Sequence, residues 1–186
     1  MKLMRARLAK LLLEKSYIEG EVVLTSGRKS DYYFDCKQTA LHPEGAFLIG
    51  SLFFEMLRDQ DIAGVGGMTL GADPLVTAVS LVSHMQHKPL PGFIVRKTSK
   101  GHGTKQYLEG LANFTAGDRV ALLEDVVTTG GTLLTACQRV ADAGLIISGV
   151  YCVLDREEGG VENLASGGFD LKSIFTRKAL LEAAQG

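Results

Sequence analysis

Cysteine is scarce in this chain of 186 residues and net charge is nearly absent, and each shortage excludes a class of protein. The three cysteines form no CxxC pair, so neither a disulfide framework nor a zinc site is indicated. The 20 lysines and arginines nearly balance the 21 aspartates and glutamates, which leaves no broad basic field for nucleic acid or an anionic membrane. We therefore expect buried, reduced thiols in a cytoplasmic protein that has no nucleic-acid partner.

Long apolar runs and internal repeats are missing as well. No stretch approaches the ~18 apolar residues of a membrane span, and Lys10 interrupts the apolar residues that a signal peptide would need. Leu8, Leu11 and Leu12 instead share one face of an amphipathic helix. The length suits one domain, so we expect a single domain over residues 1–186 with no membrane association.

Apolar strands alternate with helices along most of the chain. The predicted strands cover residues 22–25, 32–36, 62–68, 92–96, 119–125, 146–154 and 171–175. Beyond the N-terminal helix, the predicted helices cover residues 43–58, 72–85, 131–143 and 177–184. Continuous apolar strands separated by helices are typical of a parallel sheet covered on both faces. The predicted fold class is therefore α/β with a mostly parallel central sheet, and its ligand is expected beyond the carboxyl ends of the strands.

The segment 120–132 carries the clearest chemical signal. An apolar strand delivers Glu124 and Asp125 to its carboxyl end, and the Thr- and Gly-rich residues 128–132 lead directly into a helix. Backbone N–H groups of small residues at a helix start form a nest for a phosphate. A ribose 5-phosphate would fit both features, because its hydroxyls can donate to the two carboxylates. The alternatives are a strand that merely ends in acidic residues and a carboxylate pair that binds magnesium.

A basic stretch, residues 96–105, follows the strand predicted at 92–96 and gathers lysine and arginine side chains around His102. Gly101 and Gly103 flank the histidine and suit a segment that closes and reopens. Cationic side chains on such a loop can stabilise the charge that develops on a diphosphate leaving group. The alternative is an ordinary solvated surface loop.

These segments resemble the type I phosphoribosyltransferases, and among them the orotate phosphoribosyltransferases. Residues 120–132 are similar to the phosphoribosyl diphosphate signature, and residues 96–103 (Arg-Lys-x-x-Lys-x-His-Gly) to the catalytic loop of the orotate enzymes. Residues 24–35 resemble the hairpin that borders the orotate ring, and residues 69–74 a loop that contacts the diphosphate. Residues 154–160 resemble the strand end whose arginine meets the orotate carboxylate.

The resemblance implies the type I phosphoribosyltransferase fold with a small N-terminal hood. Residues of about 1–40 and 155–186 contribute this hood, which binds the base. It implies transfer of the 5-phosphoribosyl group of phosphoribosyl diphosphate to orotate in de novo pyrimidine biosynthesis, which yields orotidine 5′-monophosphate and diphosphate. The implied cofactor is Mg²⁺, held mainly by the substrate and not directly by protein side chains. The implied assembly is a homodimer that shares the loop 97–109 across its interface.

The site residues implied by the resemblance fall into three groups. Catalytic roles are expected for Lys100, His102 and Asp125. Contacts with phosphoribosyl diphosphate are expected for Arg96, Lys97, Lys100, His102, Glu124, Asp125, Val126, Val127, Thr128, Thr129, Gly130, Gly131 and Thr132. Contacts with orotate are expected for Tyr33, Phe34, Thr128 and Arg156.

Taken alone, some of these residues have simpler explanations. Arg156 would more often pair with Asp155, Glu157 or Glu158, and strand aromatics such as Tyr33 and Phe34 are more often core.

The chain also departs from the family at two positions. Some members carry Lys where this chain has Thr25 and Leu70. Arg96, Lys97, Lys100 and magnesium are therefore expected to neutralise more of the charge on the diphosphate.

Two other functions stay open. One is a phosphoribosyltransferase for a purine or another base, and the other is a non-catalytic regulator that senses phosphoribosyl diphosphate.

Overall fold

The computed structural model describes residues 1–23, 29–99 and 106–183. Its helices are α1 (Lys2–Lys15), α2 (Lys37–Ala40), α3 (Pro43–Leu57), α4 (Asp73–Met85), α5 (Gly131–Asp142), α6 (Gly160–Ser166) and α7 (Arg177–Ala183). Its strands are β1 (Tyr17–Val23), β2 (Lys29–Phe34), β3 (Gly64–Met68), β4 (Gly92–Val95), β5 (Leu108–Glu109), β6 (Arg119–Val127), β7 (Ile146–Asp155) and β8 (Leu171–Thr176). A short 3₁₀ turn spans Leu111–Asn113.

A six-stranded sheet in the order β5-β4-β3-β6-β7-β8 forms the centre of the fold. Its strands are parallel except for β5, which pairs antiparallel with β4. Strands β1 and β2 form a separate antiparallel pair. The predicted α/β class with a mostly parallel central sheet is therefore confirmed.

Helices cover both faces of this sheet, and β6 shows why its sequence is continuously apolar. Ala121 and Leu123 belong to the core that includes residues of α1, α3 and α4. Val120 and Leu122 belong to a second core that includes residues of α5. Because alternate side chains of a strand point to opposite faces, burial on both faces requires an unbroken apolar run. The same alternation directs the next two residues, Glu124 and Asp125, toward different faces of the sheet edge.

The strand order reverses between β3 and β6. From β3 the chain steps to β4 on one side, and from β6 it steps to β7 and β8 on the other. Helix α4, which follows β3, contributes to the first core, and helix α5, which follows β6, contributes to the second. A crevice opens at such a reversal outside the carboxyl ends of the strands, and ligands of open α/β sheets bind there.

Three short elements lie where the sequence predicted loops, namely α2, β5 and α6. Strand β6 also runs two residues beyond its predicted end, since Val126 and Val127 pair with Leu154 and Asp155 of β7. Short elements are set by pairing and packing against distant residues, and local periodicity carries little sign of them. Val126 and Val127 are therefore strand residues and not part of the loop that follows.

All three cysteines are free thiols and buried, as the composition predicted. Burial raises the pKa of the Cys137 thiol to about 12, so this group stays protonated at neutral pH. None of the helices among residues 1–23, 29–99 and 106–183 has the length and apolar character needed to cross a membrane.

Helix α3 offers a matched pair of phenylalanines for testing the core. Phe53 is fully buried, whereas Phe47 is 54% exposed. We expect Phe53→Ala to lower the free energy of unfolding by about 3–5 kcal/mol, because truncation of a buried ring leaves a cavity. Urea denaturation measures the loss, and Phe47→Ala should cost much less. Equal losses in the two variants would contradict the packing described here.

Candidate active site

The crevice at the reversal point has a wide part and a narrow part. The wide part is a cavity of about 310 Å³ lined by Lys37, residues 68–71, Lys97, residues 124–126 and Thr132. The narrow part, about 100 Å³, is lined by Glu124 and by residues 126–133. Glu124, Val126 and Thr132 border both parts, so the two form one continuous site. We call the narrow part the phosphate recess.

The phosphate recess is built by the turn between β6 and α5. Gly130, the residue just before α5, has φ +78°, a left-handed conformation that glycine adopts without strain. A Cβ at this position would lie 3.1 Å from Leu164 Cγ, so α6 packs closely behind the turn. No side chain caps α5, so the first N–H groups of the helix stay available for an anion in the recess, which residues 130–133 line.

The acidic pair lies where the two parts of the crevice meet. Glu124 is only 6% exposed, and its Oε1 accepts a hydrogen bond from the Asp125 backbone N–H at 3.2 Å. Its other oxygen, Oε2, is buried without a hydrogen-bond partner among the described residues. Burial, and secondly the charge of Asp125, raises the pKa of the Glu124 carboxyl well above its usual range. A hydroxyl donor from a ligand would supply the missing partner.

Asp125 is held from both sides of the crevice. The Val126 backbone N–H donates to Asp125 Oδ1 at 2.8 Å. From the β3 side, Gly71 approaches so closely that a Cβ on it would lie 2.5 Å from the same oxygen. The loop that carries Gly71 is joined to α4 by the Thr69 hydroxyl, which donates to Asp73 Oδ2 at 2.8 Å. The two strands of the reversal point therefore position this carboxylate together.

The predicted basic residues Lys97 and Arg96 have different surroundings. Lys97 lines the wide part of the crevice. The Arg96 guanidinium instead pairs with Glu109 of β5, with 2.9 Å between Nη1 and Oε1. Lys100 and His102 lie outside the described residues.

Arg139, on α5, contacts the chain at both ends of this basic segment. Its guanidinium donates to the carbonyl oxygens of Arg96 and Lys97, and the distance to the Lys97 oxygen is 3.2 Å. The same group stacks over the Tyr107 ring at 4.2 Å. Since α5 begins at the phosphate recess, Arg139 connects the recess to both ends of the basic segment.

On the predicted base side, Arg156 is buried and its Nε donates to Glu158 Oε1 at 2.8 Å. Its guanidinium also stacks over the Tyr32 ring at 4.5 Å, and Arg177 stacks over the same ring at 4.2 Å. The pairing of Arg156 with a neighbouring acid, which the sequence analysis raised as the simpler explanation, is thus present.

The aromatic residues of β2 alternate between core and surface. Phe34 is buried in the first core, and its expected contact with orotate stays a prediction. Tyr33, its neighbour, is exposed and remains the aromatic candidate. Neighbouring strand side chains point to opposite faces, and for that reason only one of the two can line a site.

Comparison with known proteins agrees with this geometry. The family model for the phosphoribosyl transferase domain matches residues 42–176. The orotate phosphoribosyltransferase of Aquifex aeolicus is 46% identical over 180 residues, which cover 95% of this chain and 97% of that protein. That of Nostoc sp. is 46% identical over 173 residues, with 93% and 83% covered. The chain belongs to the orotate phosphoribosyltransferase family.

Solved structures of this family have the same fold. The crystal structure of Mycobacterium tuberculosis orotate phosphoribosyltransferase with 5-phospho-α-D-ribosyl 1-diphosphate superposes with a TM-score of 0.78 at 36% identity. The match covers 95% of this chain and 98% of that one. The type I phosphoribosyltransferase fold expected from the sequence motifs is therefore confirmed.

Three residues that lie at or support the crevice are not among those predicted from the sequence. Lys37 follows a strand that was assigned to the base side, and Arg139 looked like an ordinary residue of an amphipathic helix. Gly71 lies within a segment noted for its resemblance, but nothing in the sequence shows how closely it approaches Asp125. Each of these roles depends on a contact between segments that are distant in the chain.

Gly71→Ala tests the support of Asp125. We expect kcat/KM for phosphoribosyl diphosphate to fall about 100-fold, because the added methyl group displaces the carboxylate and small misplacements in a site cost this much. Steady-state kinetics measures the fall, and thermal unfolding should stay near wild type. Gly67→Ala is the contrast, since its Cβ would lie 2.3 Å from the Leu123 carbonyl oxygen inside the sheet. That variant should lose thermal stability, and unchanged kinetics in Gly71→Ala would contradict the interpretation.

Glu124→Gln tests the burial of the acidic pair. A carboxyl whose pKa is raised in the folded state keeps its proton while the unfolded chain loses one, so stability falls as pH rises from the unfolded pKa through the folded pKa. Glutamine carries no such penalty. We expect the melting temperature of the variant, relative to wild type, to increase as the pH rises above the ordinary pKa of a glutamate. A constant or decreasing difference would show that Glu124 titrates normally.

Proposed function

We propose that the crevice between β3 and β6 binds phosphoribosyl diphosphate for the reaction of this family, which transfers the 5-phosphoribosyl group to orotate. The products are orotidine 5′-monophosphate and diphosphate, in de novo pyrimidine biosynthesis. One observation carries the proposal: Glu124 presents a buried oxygen without a described partner at the junction of a phosphate-sized recess and a wider cavity. A sugar phosphate supplies both the anion for the recess and the hydroxyl donor for Glu124.

The 5′-phosphate occupies the recess in this proposal. Backbone N–H groups at the start of α5 donate to it, and the hydroxyls of Thr128, Thr129 and Thr132 add further donors. The ribose hydroxyls then donate to Glu124 and Asp125. This arrangement keeps the carboxylates one sugar away from the phosphate, so the like charges do not meet.

In the transfer step the bond between C1′ and the diphosphate oxygen breaks, and its electron pair leaves with the diphosphate. The ribosyl ring gains positive charge, which the nearby carboxylate of Asp125 stabilises, while Glu124 holds the ribose hydroxyls. Orotate N1 supplies the electron pair of the new bond and gives up its proton, which the leaving diphosphate or water accepts. Lys97 lies on the side of the leaving group, and the resemblance assigns Lys100 and His102 to it as well.

The donor set of the crevice fits Mg²⁺ held largely by the substrate. Within residues 1–23, 29–99 and 106–183, no group of three or more His, Cys, Asp or Glu side chains could hold a metal ion. Mg²⁺ keeps several waters and binds substrate phosphates readily, so in this proposal the oxygens of phosphoribosyl diphosphate would hold the ion and no protein side chain would ligate it directly. When bound, the ion would supply positive charge that neutralises the diphosphate.

For the base, we propose that a hood from residues of about 1–40 and 155–186 holds orotate through Arg156, Tyr33 and Thr128. Arg156 already pairs with one carboxylate, since its Nε lies 2.8 Å from Glu158 Oε1, and a guanidinium can bind a carboxylate through two parallel N–H groups. Stacking over Tyr32 fixes the orientation of the guanidinium. The orotate carboxylate would exchange with Glu158 at this position.

Asp125→Asn is the direct test of the activity. We expect orotate- and Mg²⁺-dependent release of diphosphate by the wild type and a loss of at least about 100-fold in the variant, since a charge that stabilises the transition state is removed. Asp142→Asn, exposed on α5, is the matched control and should keep full activity. Turnover with hypoxanthine, xanthine or uracil in place of orotate would contradict the proposed base specificity.

We also propose that the protein is a cytoplasmic homodimer in which the loop 97–109 reaches the neighbouring site. Mixing an Arg156→Ala protein with a Lys100→Ala protein should then restore about a quarter of wild-type activity, because half of the dimers are mixed and each has one intact site. The two variants measured separately provide the baseline. Failure to recover activity after the subunits have exchanged would exclude loop sharing.

A further inference from the structure

The wide part of the crevice has few positive charges for a site that would hold a diphosphate. Of the described residues that line it, Lys37 and Lys97 are the cationic ones. Leu70, at a position where some family members carry Lys, is 70% exposed and apolar. Lys97 lies beside the segment outside the described residues, which leaves Lys37 as the cation whose surroundings the structure defines.

Lys37 has a well-defined position as the first residue of α2, shortly after the end of β2. Its neighbour Cys36 is completely buried and fixes the backbone at the sheet edge. The Lys37 backbone N–H donates to Asp35 Oδ1 at 3.2 Å, and its ammonium pairs with the same oxygen at 2.6 Å. Gln38 steadies the carboxylate from the other side with a 3.2 Å hydrogen bond to Oδ2. The ammonium is therefore held in place before any ligand arrives, which lowers the entropy cost of binding.

The ammonium of Lys37 can accept further partners. Its side chain is 41% exposed, and an ammonium group has three N–H donors. Within the described residues only Asp35 accepts from it. The hydrogen bond with Asp35 above all, and the charge of Asp125 in addition, raises the pKa of Lys37, so the group is a cation at every pH at which the enzyme works.

The position of Lys37 in the crevice indicates which part of the substrate it would contact. It lines the wide part together with the Thr69–Gly71 loop and Asp125, whereas the phosphate recess is lined by other residues. With the 5′-phosphate in the recess and the ribose on the acidic pair, the wide part contains the group attached to C1′. That group is the diphosphate.

We propose that Lys37 is a diphosphate-binding residue, whose ammonium Asp35 orients toward the leaving group. The inference rests on the proposed placement of phosphoribosyl diphosphate in the crevice. It accounts for the absence of Lys at positions 25 and 70, because the charge is supplied from a different element at the same edge of the sheet.

Lys37→Met tests this proposal, since methionine keeps the length of the side chain and removes its charge. Isothermal titration with inorganic diphosphate and Mg²⁺ should show a rise in Kd of about tenfold, the effect of one charge-assisted hydrogen bond. KM for phosphoribosyl diphosphate should rise equally, and KM for orotate should change less than twofold. Lys37→Arg should recover most of the affinity, and Lys10→Met, an exposed lysine of α1, should behave as wild type.

Unchanged diphosphate affinity in Lys37→Met, with a melting temperature like that of wild type, would overturn the proposal. So would a rise in KM for orotate alone, which would assign Lys37 to the base. Should Lys37→Met fail to fold, Lys37→Gln provides the same comparison. Failure of the proposed function looks different, because the wild-type protein itself would then neither bind phosphoribosyl diphosphate nor depend on Asp125.

Discussion

The site depends on the burial of β6 on both faces up to the point where its side chains become acidic. The apolar run before Glu124 fixes the strand between two cores, so the first carboxylate can turn neither into the solvent nor away from the crevice. A buried carboxyl with an oxygen that lacks a partner costs free energy in the unliganded protein. A bound hydroxyl donor removes this cost, so part of the affinity for the ligand comes from the hydrogen bond that Glu124 Oε2 gains.

Asp125 is positioned by contacts from both sides of the point where the strand order reverses. Glu124 is supported by its own strand, but Asp125 needs Gly71 from the far side of the reversal point. Any larger residue at position 71 would occupy the space of the carboxylate. The close approach of β3 and β6 is therefore a requirement of the site as well as of the sheet.

Much of this arrangement was predictable from local sequence. The parallel strands, the helix that starts at Gly131 and the acidic pair all depend on residues close together in the chain, and each parallel strand lies within two residues of its predicted bounds, whereas β1 was predicted at residues 22–25 and is Tyr17–Val23. The burial of Phe34 in place of Tyr33 was not predictable, because β2 has aromatic residues on both faces and the register is set by packing against distant helices. The contacts of Lys37 and Arg139 likewise join segments that no periodicity connects.

Each of three cations near the proposed site has an acidic partner: Lys37 pairs with Asp35, Arg96 with Glu109 and Arg156 with Glu158. A chain of net charge −1 can in this way keep strong local cations without a basic surface. A simple anion gains little by displacing an internal carboxylate, since one ion pair is exchanged for another. Phosphoribosyl diphosphate would instead reach the phosphate recess and the wide part of the crevice at once, and its linked groups would share a single loss of translational freedom. Pairing in advance also keeps each cation in position, as Asp35 does for Lys37, so a ligand that binds several groups at once is favoured over a simple anion.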